Sequence, residues 1–153
     1  MSVKQRVRVE SFFEDLKTGA VVTGGSAPHD GLPSCAYFAP TLVDGVDPTS
    51  RIAQEEIFGP VLVVNSFADD DEAIELANGT PYALMGSVWT KDLPRAHRLA
   101  SRIDAGQVYI NTYGAGGGVE VPFGGFKKSG YGREKGIEAL HSYTQSKAVI
   151  VRL

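Results

Sequence analysis

The sequence holds a single cysteine, Cys35, one tryptophan and two methionines. One cysteine makes neither an internal disulfide nor a cysteine-based zinc cluster, so a reducing, cytoplasmic setting is expected. Long apolar runs are missing as well. The longest aliphatic stretches, Val61–Val64 and Ala148–Val151, have four residues each, against roughly 20 for a membrane helix. No membrane partner is therefore expected. A charge excess is also absent: 15 Lys and Arg against 18 Asp and Glu leave a net charge of −3. Nucleic-acid binders announce themselves with a basic patch, and none stands out here. Met1 to Arg6 carry basic groups with no apolar stretch behind them, which is not the pattern of a secretory signal.

What remains is close to the soluble globular average. Hydrophobic residues make up 42% and charged residues 22% of 153 positions, proportions that support a folded core. The length suits one domain of about 100–200 residues. No repeat and no low-complexity linker interrupts the chain. Glycine alone is in excess, with 18 residues, ten of them between Gly106 and Gly136. A structured loop region is expected there.

Periodicity divides the chain into elements. Val9, Phe12, Phe13 and Leu16 follow the i, i+3, i+4, i+7 spacing of an amphipathic helix that ends before Gly19. Ala20–Thr23 reads as a strand. Residues 36–43 form another extended segment, which Pro40 marks as an edge or bulged strand. Strands follow at 61–67, 86–90 and 107–111, separated by a helix over 70–78 and a second helix capped by Asp92. The second helix carries Leu93, Ala96, Leu99, Ala100 and Ile103 on one face. The acidic run Asp69–Glu72 sits where the first of these helices begins, and acidic groups there favour the positive end of the helix dipole. Strand and helix alternating in this way predict an α/β fold, with two βαβ units forming a mainly parallel sheet. A short helix over 133–140 and a terminal strand over 141–153 complete the expectation. An open terminal strand pairs either inside its own domain or with a neighbouring subunit.

Several nucleotide and metal motifs fail on spacing. The stretch from Gly114 to Val119 begins as G-x-G but has Val119 where the last glycine belongs. In Gly130–Gly136 the third glycine falls one place late. Gly125–Gly130 is no P-loop, because Tyr131 stands where lysine is required. His29, His97 and His141 are far apart, and no metal site is expected. Cys35 lies in a loop entering a strand, away from a helix N-terminus that would stabilise a thiolate, so it reads as a small filler.

Three segments are specific: Arg51–Pro60 (R-I-A-Q-E-E-I-F-G-P), Gln107–Tyr113 (Q-V-Y-I-N-T-Y) and Pro122–Glu134 (P-F-G-G-F-K-K-S-G-Y-G-R-E). In this order and spacing they resemble the C-terminal part of the aldehyde dehydrogenase superfamily, over essentially the whole chain. The resemblance implies aldehyde oxidation with NAD or NADP through a cysteine thiolate. It implies that Glu56 binds the ribose on the nicotinamide side, since a carboxylate accepts hydrogen bonds from both hydroxyls. It implies that Phe58 packs near the nicotinamide. It implies that Phe123 lines the aldehyde tunnel, where apolar walls exclude water, and that Asn111 supports the active site. Gly124, Gly125 and Gly130 hold the loop against the catalytic core. It divides the chain into a catalytic-domain portion, 1–140, and an oligomerisation strand, 141–153, that makes a homo-oligomer. Without the resemblance, Glu56 reads as a helix-terminal carboxylate and Phe58 and Phe123 as ordinary core.

The same resemblance leaves this chain with no catalytic residue. Cys35 precedes Glu56 by 56 − 35 = 21 positions, too few to match the family nucleophile. Two expectations follow. The chain is a C-terminal portion of an NAD(P)-dependent aldehyde dehydrogenase, inactive alone, without tight cofactor binding, and partnered by the missing N-terminal part or by itself. Alternatively it is a non-catalytic interaction or assembly module that keeps the inherited fold.

Overall fold

The computed structural model describes residues 1–28, 36–114 and 118–153. Cys35 and His29 lie outside the described residues, as does part of the glycine loop. The chain forms two compact units, 1–69 and 70–153.

In the first unit, helix α1 (Val3–Glu14) starts at Ser2, whose hydroxyl accepts the Gln5 N–H at 3.1 Å. A serine there satisfies one of the otherwise orphaned N–H groups of the first turn. The predicted stripe faces inward. Val9 and Phe12 are fully buried against Phe38, Val43, Val46, Ile52 and Ile57, with Phe13 and Leu16 packed alongside. Three strands follow the helix: β1 (Ala20–Thr23), β2 (Thr41–Asp44) and, after the one-turn helix α2 (Arg51–Gln54), β3 (Val61–Val64). Their order is β1-β2-β3. β1 is antiparallel to β2, whereas β2 and β3 run parallel from Thr41↔Val61 to Asp44↔Val64.

Pro40 implies an edge or bulged strand, but β2 is the central strand. Pro40 falls one residue before the ladder begins, so its missing N–H is lost where no bond was needed. Thr41 then opens the ladder by donating its N–H to the Pro60 carbonyl at 2.8 Å. The irregularity lies between Val21 and Thr23, in the neighbouring strand. Thr41 is buried and its hydroxyl is satisfied on both sides, accepting from the Gly25 N–H and donating to the Ala39 carbonyl.

The second unit begins with α3 (Asp70–Asn78) and continues through β4 (Tyr82–Ala83), β5 (Met85–Val88), α4 (Leu93–Ala100), β6 (Gln107–Ile110), β7 (Phe126–Lys127) and α5 (Ala139–Ser142). β5, α4 and β6 make one parallel βαβ unit, with register Met85↔Gln107 to Val88↔Ile110. Asp92 caps α4, accepting the Arg95 N–H at 2.9 Å, and Ala96 is its fully buried residue. The α/β class and the parallel pairing stand. The second expected βαβ unit does not close, because β3 and β5 belong to different sheets. The antiparallel pair β4–β7 joins the glycine-rich segment to the start of the βαβ unit.

One further expectation is corrected. The helix expected over 133–140 is confined to Ala139–Ser142. Lys135 and Gly136 take φ of 60° and 62°, the left-handed region, which no right-handed helix can include. The terminal strand does not form within this chain. Residues 144–153 are exposed and carry no strand, with Val149, Ile150 and Val151 all at least 74% exposed. A strand exists only when a partner strand takes its backbone bonds, and no described residue of this chain does so for this segment.

Helices α3 and α4 are tied by charge. Arg95 donates to the Asp70 carboxylate through Nε at 2.8 Å and also through Nη2, and Arg102 pairs with Asp71 at 2.7 Å. The hydrogen bond from Arg95 holds the Asp70 carboxyl below its ordinary 3.8. A depressed folded-state pKa gives stability that is complete above 3.8 and disappears as pH falls through the folded value. The stability advantage of the parent over Asp70→Asn, read from urea midpoints, is therefore expected to shrink as pH drops from about 5 to about 2. An advantage that grows on acidification would contradict the pairing.

Among the described residues, no helix is long and apolar enough to cross a membrane, and no group of three or more His, Cys, Asp or Glu is placed to hold a metal.

Candidate functional site

The segment that carries Glu56 and Phe58 is launched by α2. Asp47 accepts the Thr49 N–H and hydroxyl, each at 2.8 Å, and these bonds lower its pKa. Such a turn fixes the start of the short helix. Arg51 then locks α2 onto α1. Its guanidinium lies 4.1 Å from the Phe12 ring centroid, pairs with Asp15 at 3.0 Å and reaches Glu55 at 3.3 Å. At Glu55 the backbone leaves the helix for extended geometry, φ −99° and ψ 149°.

From there the chain alternates. Glu56 is exposed, Ile57 is buried, and Phe58 is 74% exposed. The Glu56 carboxylate makes no hydrogen bond or ion pair with any described residue. Phe58 sits at φ +59°. A bulky residue there is a genuine outlier, with a strain on the order of 1–3 kcal/mol. An exposed ring held in strained backbone is not ordinary core packing. Three side-chain bonds from α1 hold the segment: Gln5 Nε2 donates to the Ile57 and Phe58 carbonyls at 3.1 and 2.9 Å, and Arg8 Nη2 to the Glu56 carbonyl at 3.1 Å. Alongside runs an open groove of about 370 Å³, lined by Ile52, Glu56, Phe58, Val61 and Val63 among others. A free carboxylate can accept two hydroxyl hydrogens, and an exposed ring offers a flat apolar face.

Asn111 and Phe123 belong to the second unit. Asn111 follows β6 at φ +55°, a conformation asparagine tolerates better than most residues. Its amide is fully engaged: Oδ1 accepts the Thr90 N–H and Nδ2 donates to the Thr90 carbonyl, both at 2.9 Å. Its own N–H bonds the Val88 carbonyl at 2.9 Å. Asn111 thus ties together the C-terminal ends of β5 and β6. Asn111→Ala removes both amide bonds and puts alanine at positive φ. The expected loss is about 2 kcal/mol in unfolding free energy, measured by urea titration, and a loss below about 0.5 kcal/mol would refute the clamp.

Phe123 is half-buried and lines a cavity of about 660 Å³ together with Leu84, Tyr131, Arg133, Lys135 and Tyr143. Its backbone exchanges two hydrogen bonds with Glu134, at 2.6 and 2.7 Å. Arg133 folds the loop back on itself by donating to the Gly125 and Gly132 carbonyls at 3.0 and 2.7 Å, with its guanidinium 5.0 Å from the Phe126 centroid. The glycines of this loop allow close approach: a Cβ on Gly124 would stand 2.5 Å from the Gly132 carbonyl oxygen.

Glu56 and Phe58 therefore share one groove in the first unit and Phe123 faces a cavity in the second, whereas Asn111, at the C-terminal ends of β5 and β6, lines neither. Gln5 and Arg8 are the residues that motif reading does not single out. Their signal in the sequence is a polar pair at i, i+3, each four residues before a buried residue of the same face, Val9 and Phe12, with the Arg8 guanidinium 5.4 Å from the Phe12 ring centroid.

Comparison with known proteins bears on all of this. The family described as "Aldehyde dehydrogenase family" matches residues 1–149. Betaine aldehyde dehydrogenase 1 of Rhizobium meliloti is 46% identical over 153 residues, which is 99% of this chain and 31% of that protein. The NADP/NAD-dependent aldehyde dehydrogenase PuuC of Escherichia coli is 47% identical over 118 residues, covering 77% of this chain and 24% of its own length. Among solved structures, Mycobacterium tuberculosis aldehyde dehydrogenase complexed with NAD+ superposes with a TM-score of 0.88 at 40% identity, over 97% of this chain and 31% of that one. The chain thus spans less than a third of the length of these relatives.

Proposed function

Because this chain belongs to the aldehyde dehydrogenase family, we propose that it supplies the ribose contact and one wall of the aldehyde pocket in an NAD(P)-dependent oxidation of an aldehyde to a carboxylic acid. One observation carries the reading: Glu56 presents a carboxylate without a partner among the described residues, beside the exposed Phe58, on a segment whose backbone is held from α1. The donor set fits a dinucleotide. Glu56 accepts hydrogen bonds from both hydroxyls of the nicotinamide ribose, and Phe58 packs its ring against the nicotinamide side. The bound nicotinamide is the hydride acceptor of the reaction. Phe123 gives the aldehyde an apolar wall that keeps water from the reacting carbon. Asn111 acts through Thr90, by fixing the C-terminal ends of β5 and β6 to each other.

The resemblance does not match Cys35 to the family nucleophile, and on that reading the isolated 153-residue chain is not expected to oxidise aldehydes or bind the cofactor tightly. The exposed segment 144–153 supports a second element of the reading. Its apolar run, Val149–Val151, finds its strand partner in another copy and builds a homo-oligomer.

The test is a chimera in which this chain replaces the matched segment of Rhizobium meliloti betaine aldehyde dehydrogenase 1. Aldehyde-dependent reduction of NAD is expected from the chimera and not from the isolated chain. A folded chimera that binds betaine aldehyde but reduces no cofactor would overturn the proposal.

A further inference from the structure

We propose that Gln5 and Arg8 are positioning residues that hold the Glu56–Phe58 segment in its cofactor-facing conformation, an inference that rests on the function proposed above. Two side chains one turn apart on α1 bind three consecutive carbonyls, those of Glu56, Ile57 and Phe58. Residues at i and i+3 are neighbours on a helix surface, so the pair forms one rigid comb of donors. A glutamine amide carries two N–H donors, and Gln5 directs its amide nitrogen to two adjacent carbonyls. That fixes the orientation of two successive peptide planes, which decides where the Phe58 ring points.

The comb is itself anchored. α1 is pinned by Val9 and Phe12 in the core, and Gly59 lies so close to it that a Cβ there would stand 2.6 Å from Val9 Cγ2. Positive φ at phenylalanine persists only where the surroundings impose it, and these bonds are what the structure supplies. Charge follows the same logic. Of two adjacent glutamates, Glu55 takes both nearby arginines, Arg8 at 3.6 Å and Arg51 at 3.3 Å. Arg8 touches Glu56 only through its backbone carbonyl, which leaves the Glu56 carboxylate open to a ligand.

The experiment compares Gln5→Met, which keeps side-chain length, and Arg8→Met, which keeps an apolar stem without the guanidinium, with Arg8→Lys, which restores a cationic donor. In the full 153-residue chain, 15N relaxation at Ile57, Phe58 and Gly59 is expected to show order parameters falling from about 0.85 to below about 0.6 in the two Met variants, with β2 and β3 unchanged and with recovery in Arg8→Lys. In the chimera, the same two variants are expected to raise KM for NAD by about tenfold while kcat and the aldehyde KM stay fixed. Order parameters that stay rigid in both Met variants overturn the proposal. Order parameters that fall while the KM for NAD is unmoved overturn instead the cofactor reading beneath it.

Discussion

Gly106→Ala is expected to destabilise the second unit by about 3 kcal/mol or more. Gly106 immediately precedes β6, and its N–H donates to the Ala83 carbonyl at 3.2 Å. A Cβ at this position would lie 1.5 Å from the Gly124 carbonyl oxygen and 2.6 Å from its carbonyl carbon. Both obstacles are backbone, so no rotamer change relieves the clash. The glycine-rich loop has to lift from β6, and with it go the Phe123 pocket wall and the Gln107 Nε2 bond to the Pro122 carbonyl at 3.0 Å. Gly114→Ala is the matched control. Its Cβ would meet no described residue within 4 Å, but φ is +62°, so the expected loss is only the left-handed strain of about 1–2 kcal/mol. Urea unfolding followed by Trp89, the single tryptophan and a member of the second unit, separates the two variants. Equal losses would show that the close approach to Gly124 is not a constraint.

Glu56→Gln is expected to raise the chimera's KM for NAD by about 10- to 100-fold while leaving the aldehyde KM in place. Hydrogen bonds to a charged group contribute about 1.5–3 kcal/mol, and the amide retains only one acceptor oxygen and no charge. Stability is expected to change little, because the carboxylate is exposed and makes no bond to a described residue. A fall in aldehyde affinity at constant cofactor KM would place Glu56 on the wrong side of the site.

The elements legible in the sequence are those with a strong local signal. The Val9, Phe12, Phe13, Leu16 stripe gives α1, and Asp92 starts α4 at the position observed. Both depend on side-chain periodicity and capping, which are local. The pairing of β4 with β7 was hidden for the opposite reason. Each strand has two residues, too few for a period, and the pair forms only once the intervening chain has folded. The helix over 133–140 shortens because Lys135 adopts positive φ, a conformation its residue type does not advertise.

At the site, residue type alone places Phe58 in a core, since aromatic side chains are commonly buried. The structure exposes it through a backbone angle that composition and spacing do not encode. Glu56 and Phe58 were legible only through the E-E-I-F-G-P resemblance. The bonds that hold them come from α1, some 50 positions earlier, at |i−j| of 48 to 53. Long-range polar contacts of this kind have no pattern within either segment.

The most direct test of the account is a pair of calorimetric titrations on the chimera and its Glu56→Gln variant, with NAD and with AMP as ligands. AMP carries the adenosine ribose and phosphate but no nicotinamide ribose. The substitution is expected to weaken NAD binding by about tenfold or more and to leave AMP binding unchanged. Equal losses for both ligands, or none for either, would contradict the assignment of Glu56 to the nicotinamide ribose.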